Sequence, residues 1–128
     1  MGLWIKNCLA IGVAGFFGAI ARFAVAQLFG RLFATGFPLG TLFINVSGSF
    51  FLGWFLTSIG DRYQVSDTIR LAVATGFVGA YTTFSTYMWE SNALATKGAI
   101  YQSMTNVVFS VVLGLLAVRL GIAMAHRA

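Results

Sequence analysis

The chain has 128 residues, 59% hydrophobic and 9% charged, with a mean hydropathy of +0.86. A soluble domain of this size needs more surface charge, so the composition excludes one and points to an integral membrane protein. The net charge of +5 comes from scattered basic residues rather than a stripe, which argues against a nucleic-acid interface, and the single Cys8 excludes an internal disulfide.

Four apolar segments are each long enough for a helix of about 20 residues. Together they predict a single all-α domain over residues 1–128, lying in a lipid bilayer. The first span runs from about Asn7 to Leu32. It outlasts the apolar core of a signal peptide and three more spans follow, so a retained anchor is expected. Gly12, Gly15, Gly18 and Ala19 recur along it, a spacing that lets helix backbones approach closely. Arg22 lies inside this span, with a structural or electrostatic role. A short loop from Phe33 to Pro38 holds Gly36 and the only proline.

The second span covers about Leu39 to Ile59 and places Thr41, Asn45, Ser49, Gly53 and Thr57 four residues apart. Residues at that spacing share one helical face. A polar connection, Gly60 to Ser66, carries Asp61 and Arg62. The third span runs from about Asp67 to Leu94, and Lys97 and Gly98 punctuate the following turn. The fourth, about Ala99 to Met124, repeats the four-residue pattern with Gln102, Asn106, Ser110 and Gly114. Such stripes serve as interhelical glue or as a wetted path.

The third span decides between those readings. From Thr75 to Tyr87 it holds two glycines, four threonines and a serine. Hydrocarbon offers a backbone no hydrogen bonds, so an interrupted helix survives there only where protein satisfies the freed groups. Breaks at membrane depth line cavities or bind ions. Asn45 and Ser110 can donate hydrogen bonds to an anion. Phe84 and Tyr87, three residues apart, can offer partly positive ring edges, which hold an anion loosely enough to release it. Glu90, the one acid with an intramembrane position, lies toward the end of the third span, whereas a cation pathway places a carboxylate near midplane.

Four spans put both termini on one face, with Lys6, Arg62, Arg70 and Arg127 there against Arg31 and Lys97 opposite. That bias favours cytoplasmic termini and still permits insertion in both orientations. The sole histidine, His126, closes the chain beside Arg127, and no carboxylate pair or nucleophile–base spacing suggests an enzyme. Two other readings are a small dual-topology exporter of cationic drugs and a noncatalytic membrane assembly subunit. The exporter needs an acid in the first helix, which carries Arg22 instead.

The runs Gly15–Phe23, Gly40–Asn45, Thr75–Gly79 and Thr82–Tyr87, with Ser110 and Gly114, span nearly the whole chain. In order and spacing they resemble the small bacterial fluoride channels of the CrcB/Fluc family. The resemblance implies a multi-pass inner-membrane protein with a third helix interrupted near midplane. It implies an antiparallel, dual-topology homodimer giving passive export of fluoride and so protection from its toxicity. By motif position, Asn45, Phe84, Tyr87, Ser110 and Thr83 would contact fluoride. A structural sodium ion at the dimer centre would be held by the backbone carbonyls of Gly79 and Thr82. Tyr87 stands where the family pattern has a second phenylalanine, and Asn106 and Gly114 stand where some relatives carry Tyr and Ser.

Overall fold

The computed structural model describes residues 1–61, 63 and 65–127, and every regular element among them is helical. The expected contribution of Arg62 to the charge bias lies outside the described residues.

Helix α1 (Gly2–Leu32) is 31 residues long, roughly 46 Å at 1.5 Å per residue. It ends where Phe33 N–H bonds the Phe29 carbonyl at 2.9 Å. Pro38 then opens α2 (Leu39–Asp61), its carbonyl accepting from Leu42 N–H at 3.1 Å. A proline suits that place because its missing N–H would have no helical partner anyway. Helix α6 (Ile100–Arg127) closes the fold. Among the described residues these are the three helices long and apolar enough to cross a membrane, by length and composition.

The third crossing is built from pieces. Ser66 caps α3 (Asp67–Leu71), accepting from Ile69 N–H at 3.4 Å. A π-helical segment, Ala72–Val78, follows, then the short α4 (Gly79–Tyr81). The chain extends at Thr82 (φ −77°, ψ 158°) and Thr83 (φ −151°, ψ 115°) and restarts as α5 (Phe84–Thr96). The break lies inside the Thr75–Tyr87 stretch and near the midpoint of Asp67–Thr96. Wide π turns shift helical register and are concentrated at functional sites. Helix α5 ends on Gly98, whose φ of +82° suits glycine. Ala99 N–H reaches back to the Leu94 carbonyl at 2.9 Å, closing the last turn.

Two parallel pairs make the frame. Along α1, Gly15 and Gly18 meet Gly76 and Phe77 of the π-helical segment. Along α2, Ser49, Gly53 and Trp54 meet Gly114, Val118 and Gly121 of α6 in the same order. At Gly18 and Gly121 a side chain would collide with the Phe77 and Phe50 carbonyls, so glycine sets both close approaches. Gly12, expected in the same role, faces open space. Helix α5 runs antiparallel to α6 and bridges the pairs: Tyr87 bonds Val107, and Ser91 bonds Ser103 and Asn106. The seam ties the two helices by side chains as well as packing. Arg119, exposed on α6 eight residues before its end, adds a basic residue to the terminal face.

Candidate functional site

The break is held open by a small set of side chains. In a continuous helix Thr83 N–H would bond the Gly79 carbonyl. Instead it donates to Asn45 Oδ1 at 2.8 Å, and Asn45 Nδ2 donates back to the Thr83 carbonyl at 3.1 Å. One amide side chain thus takes the place of a helical neighbour on both sides of a peptide. Thr86 N–H, which would bond the Thr82 carbonyl, goes to Thr83 Oγ1 at 3.2 Å. Thr83 therefore caps α5 through its hydroxyl. The break frees the carbonyls that end the upstream helix, those of Gly79 and Thr82 among them.

Carbonyl oxygens are hard, uncharged donors of the kind that hold a group 1 or group 2 cation. Gly79 is exposed on the outer face of the chain and Thr82 is half-buried. Two such carbonyls fit part of the coordination shell of a sodium ion.

Beside the break is a cleft of about 320 Å³. Asn45, Ser49, Thr82, Thr83, Phe84, Tyr87 and Ser110 line it, so all five residues expected to meet fluoride are brought together. They contribute differently. Ser110 Oγ is buried and has no hydrogen-bond partner among the described residues. A buried hydroxyl left unpaired carries a penalty of about 1–3 kcal/mol unless a ligand or water meets it. Asn45 Nδ2 has a second proton beyond the one given to Thr83. Phe84 is 72% exposed, whereas Tyr87 is 5% exposed, and the rings meet edge-on at 5.8 Å and 63°. The Tyr87 hydroxyl donates to the Val107 carbonyl at 3.0 Å. Its one proton is engaged, so the cleft receives the ring and not the hydroxyl.

The polar stripes divide on folding. On α2, Thr41 Oγ1 donates to Glu90 Oε1 at 2.9 Å, and Ser49 Oγ donates to the Asn45 carbonyl at 2.7 Å. Glu90 Oε2 is buried without a partner among the described residues. A second hollow of about 390 Å³ opens there, between the end of α1 and α5, with Lys97 at its edge. On α6, Ser110 and Gly114 face α2, but Asn106 turns into the α5 seam and is 1% exposed. Arg22 is half-buried within α1. Sequence reasoning did not single out Ser91, although it lies four residues after Tyr87 and so one turn along the same face. Nor did it find the pairing of Ser47 with the Tyr81 hydroxyl at 3.0 Å, which depends on a crossing between helices.

Residues 9–122 match the family described as CrcB-like protein, Camphor Resistance (CrcB). The chain belongs to the CrcB family. Its CrcB relatives include a fluoride-specific ion channel FluC of Methylococcus capsulatus, 47% identical over 94% of this chain and 53% of the relative. The chain thus spans about half the length of that protein. A FluC of Solibacter usitatus is 38% identical over 93% of this chain and 98% of its own length. A FluC 2 of Geobacillus kaustophilus is 42% identical over 92% of each.

Proposed function

We propose that this chain is the subunit of a fluoride-specific channel in the bacterial inner membrane, carrying fluoride passively out of the cytoplasm. The observation that carries the reading is the buried Ser110 hydroxyl, without a partner among the described residues, in a cleft shared with the Asn45 amide, the Phe84 and Tyr87 rings and aliphatic side chains. A hydrogen-bond donor is what a small hard anion requires on leaving water. The named activity of the relatives supplies the ion.

The chain performs no bond chemistry in this role. Hydrogen fluoride crosses the bilayer as a neutral molecule and ionises in the less acidic cytoplasm. The anion then leaves through the protein, and an inside-negative potential favours its exit by ~2.3 kcal/mol per charge per 100 mV. Ser110, with the free proton of Asn45, donates to the ion in transit. The edges of Phe84 and Tyr87 replace part of its hydration without trapping it. Thr83 holds the break open, its hydroxyl proton given to Thr86 Oγ1 at 3.0 Å and its oxygen taken by Thr86 N–H, so it shapes the margin of the cleft without donating to the ion.

The functional unit is an antiparallel homodimer. Thr75, Ser85 and Thr86 are exposed on the third crossing, at a depth where lipid offers them no hydrogen bonds. Phe84 and Trp89 are exposed beside them. A second copy covers these groups. The Gly79 and Thr82 carbonyls would hold a sodium ion, which would supply a fixed positive charge beside the break.

Expression in a fluoride-sensitive bacterium lacking its own exporter tests the proposal. Growth in fluoride should return with this chain and fail with Phe84→Ile at equal membrane abundance. No protection by the unaltered chain would contradict the proposal, and full protection by Phe84→Ile would remove Phe84 from the path.

A further inference from the structure

Tyr87 is fastened to α6 from two ends. Its hydroxyl donates to the Val107 carbonyl at 3.0 Å. Its own carbonyl accepts from Ser91 Oγ at 2.8 Å, and that oxygen accepts from Asn106 Nδ2 at 2.9 Å. Tyr87, Ser91 and Asn106 are all buried, so water does not compete for these bonds. The Ser103 hydroxyl adds a bond to the Ser91 carbonyl at 2.7 Å, one turn further along. Val107 and Asn106 lie about one turn before Ser110 on α6, and Ser103 about two turns before it.

We infer that Tyr87 is a positioning residue, whose hydroxyl fixes its ring at a set distance from Ser110 and does not itself bind the passing anion. The inference rests on the fluoride reading above. A phenolic hydroxyl has one proton, and here a backbone carbonyl holds it. The ring between the ties is the wall of the cleft against which Phe84 packs edge-on. The Val107 bond and the Ser91–Asn106 chain do the same work from opposite ends. Either one alone keeps the ring in place, and the loss of both leaves only the Ser103 bond to the Ser91 carbonyl, which keeps the helices in register but does not hold the ring.

The test is a double-mutant cycle on Tyr87→Phe and Ser91→Ala, read by fluoride efflux from vesicles and by melting of the solubilised protein. Ser91→Ala alone should keep its efflux within about threefold of the unaltered chain, Tyr87→Phe alone should lower it by about threefold, and the double should fall roughly tenfold below the product of the singles. The fluoride-to-chloride ratio should drop in the double alone, a change that loss of stability by itself would not produce. Ser91→Thr, which keeps a hydroxyl, should restore the behaviour of Tyr87→Phe in the double variant.

An overturning result is an efflux loss of about tenfold in Tyr87→Phe alone with melting unchanged, because the hydroxyl would then meet the ion. Strictly multiplicative effects would overturn it too. The melting arm stands without conduction. A shift in the double larger than the sum of the singles supports the clamp, and an additive shift refutes it. Absence of fluoride efflux from the unaltered chain would instead refute the fluoride reading.

Discussion

At the residue scale, three polar side chains divide the labour around the break. Ser110 is available, Asn45 is half engaged, and the Tyr87 hydroxyl is fully engaged. This ordering separates stability from conduction. Ser110→Ala removes a hydroxyl with no protein partner among the described residues, so melting should hold or rise by about 1 kcal/mol. Its fluoride efflux should fall roughly tenfold, the worth of one lost hydrogen bond to a charged group. Asn45→Ala should behave oppositely, losing two bonds to Thr83 and about 2 kcal/mol of stability. Asn45→Asp still accepts from Thr83 N–H but brings a negative charge into the cleft. Its efflux should fall further than that of Asn45→Ala, and an equal or smaller fall would remove Asn45 from the ion's route.

At the scale of elements, the interruption depends on caps more than on glycine. Gly76 and Gly79 lie within continuous helical turns, and the chain opens at Thr82 and Thr83. Thr83 is extended and caps α5 with its hydroxyl. Thr83→Ala should cost about 1 kcal/mol, as loss of an N-cap does, and melting of the purified protein reads it directly. The glycines act between helices. Gly121→Val would force apart α2 and α6 where a side chain meets the Phe50 carbonyl and the Trp54 peptide nitrogen. A loss of about 1–3 kcal/mol or failure to accumulate in the membrane is expected, whereas Gly12→Ala, in open space, should be silent.

At the scale of the whole molecule, how much could be read from the sequence followed the range of the interactions. Hydropathy gave the long helices, because crossing a bilayer imposes apolar length on each segment separately. The third crossing was legible as an interruption, since Thr75–Tyr87 gathers threonines and glycines where lipid gives the backbone nothing. The clustering of Asn45, Thr83, Phe84, Tyr87 and Ser110 followed from helical faces together with family resemblance. Helical spacing alone left Asn106 open between interhelical glue and path, because a four-residue repeat cannot tell which of two neighbours a face will meet. The α5 seam won, as Ser91 offered a buried partner there. The Tyr87 hydroxyl was illegible for the same reason, its partner being a backbone carbonyl on another helix.

Assembly belongs to this scale as well. On the dimer reading proposed above, a partner surface would cover the exposed Thr75, Ser85 and Thr86. In a Cys8→Ser chain, Lys97→Cys lies in the exposed turn after α5, and a membrane-impermeant thiol reagent should label it from both sides of sealed vesicles in equal parts. Labelling from one side alone would contradict dual insertion.

The most direct test of the account is a paired efflux measurement. Vesicles holding the purified protein are loaded with equal fluoride and chloride, with no proton gradient, and both ions are followed in the same run. Fluoride should leave rapidly while chloride stays behind. Equal release of the two, or retention of both, would contradict the account.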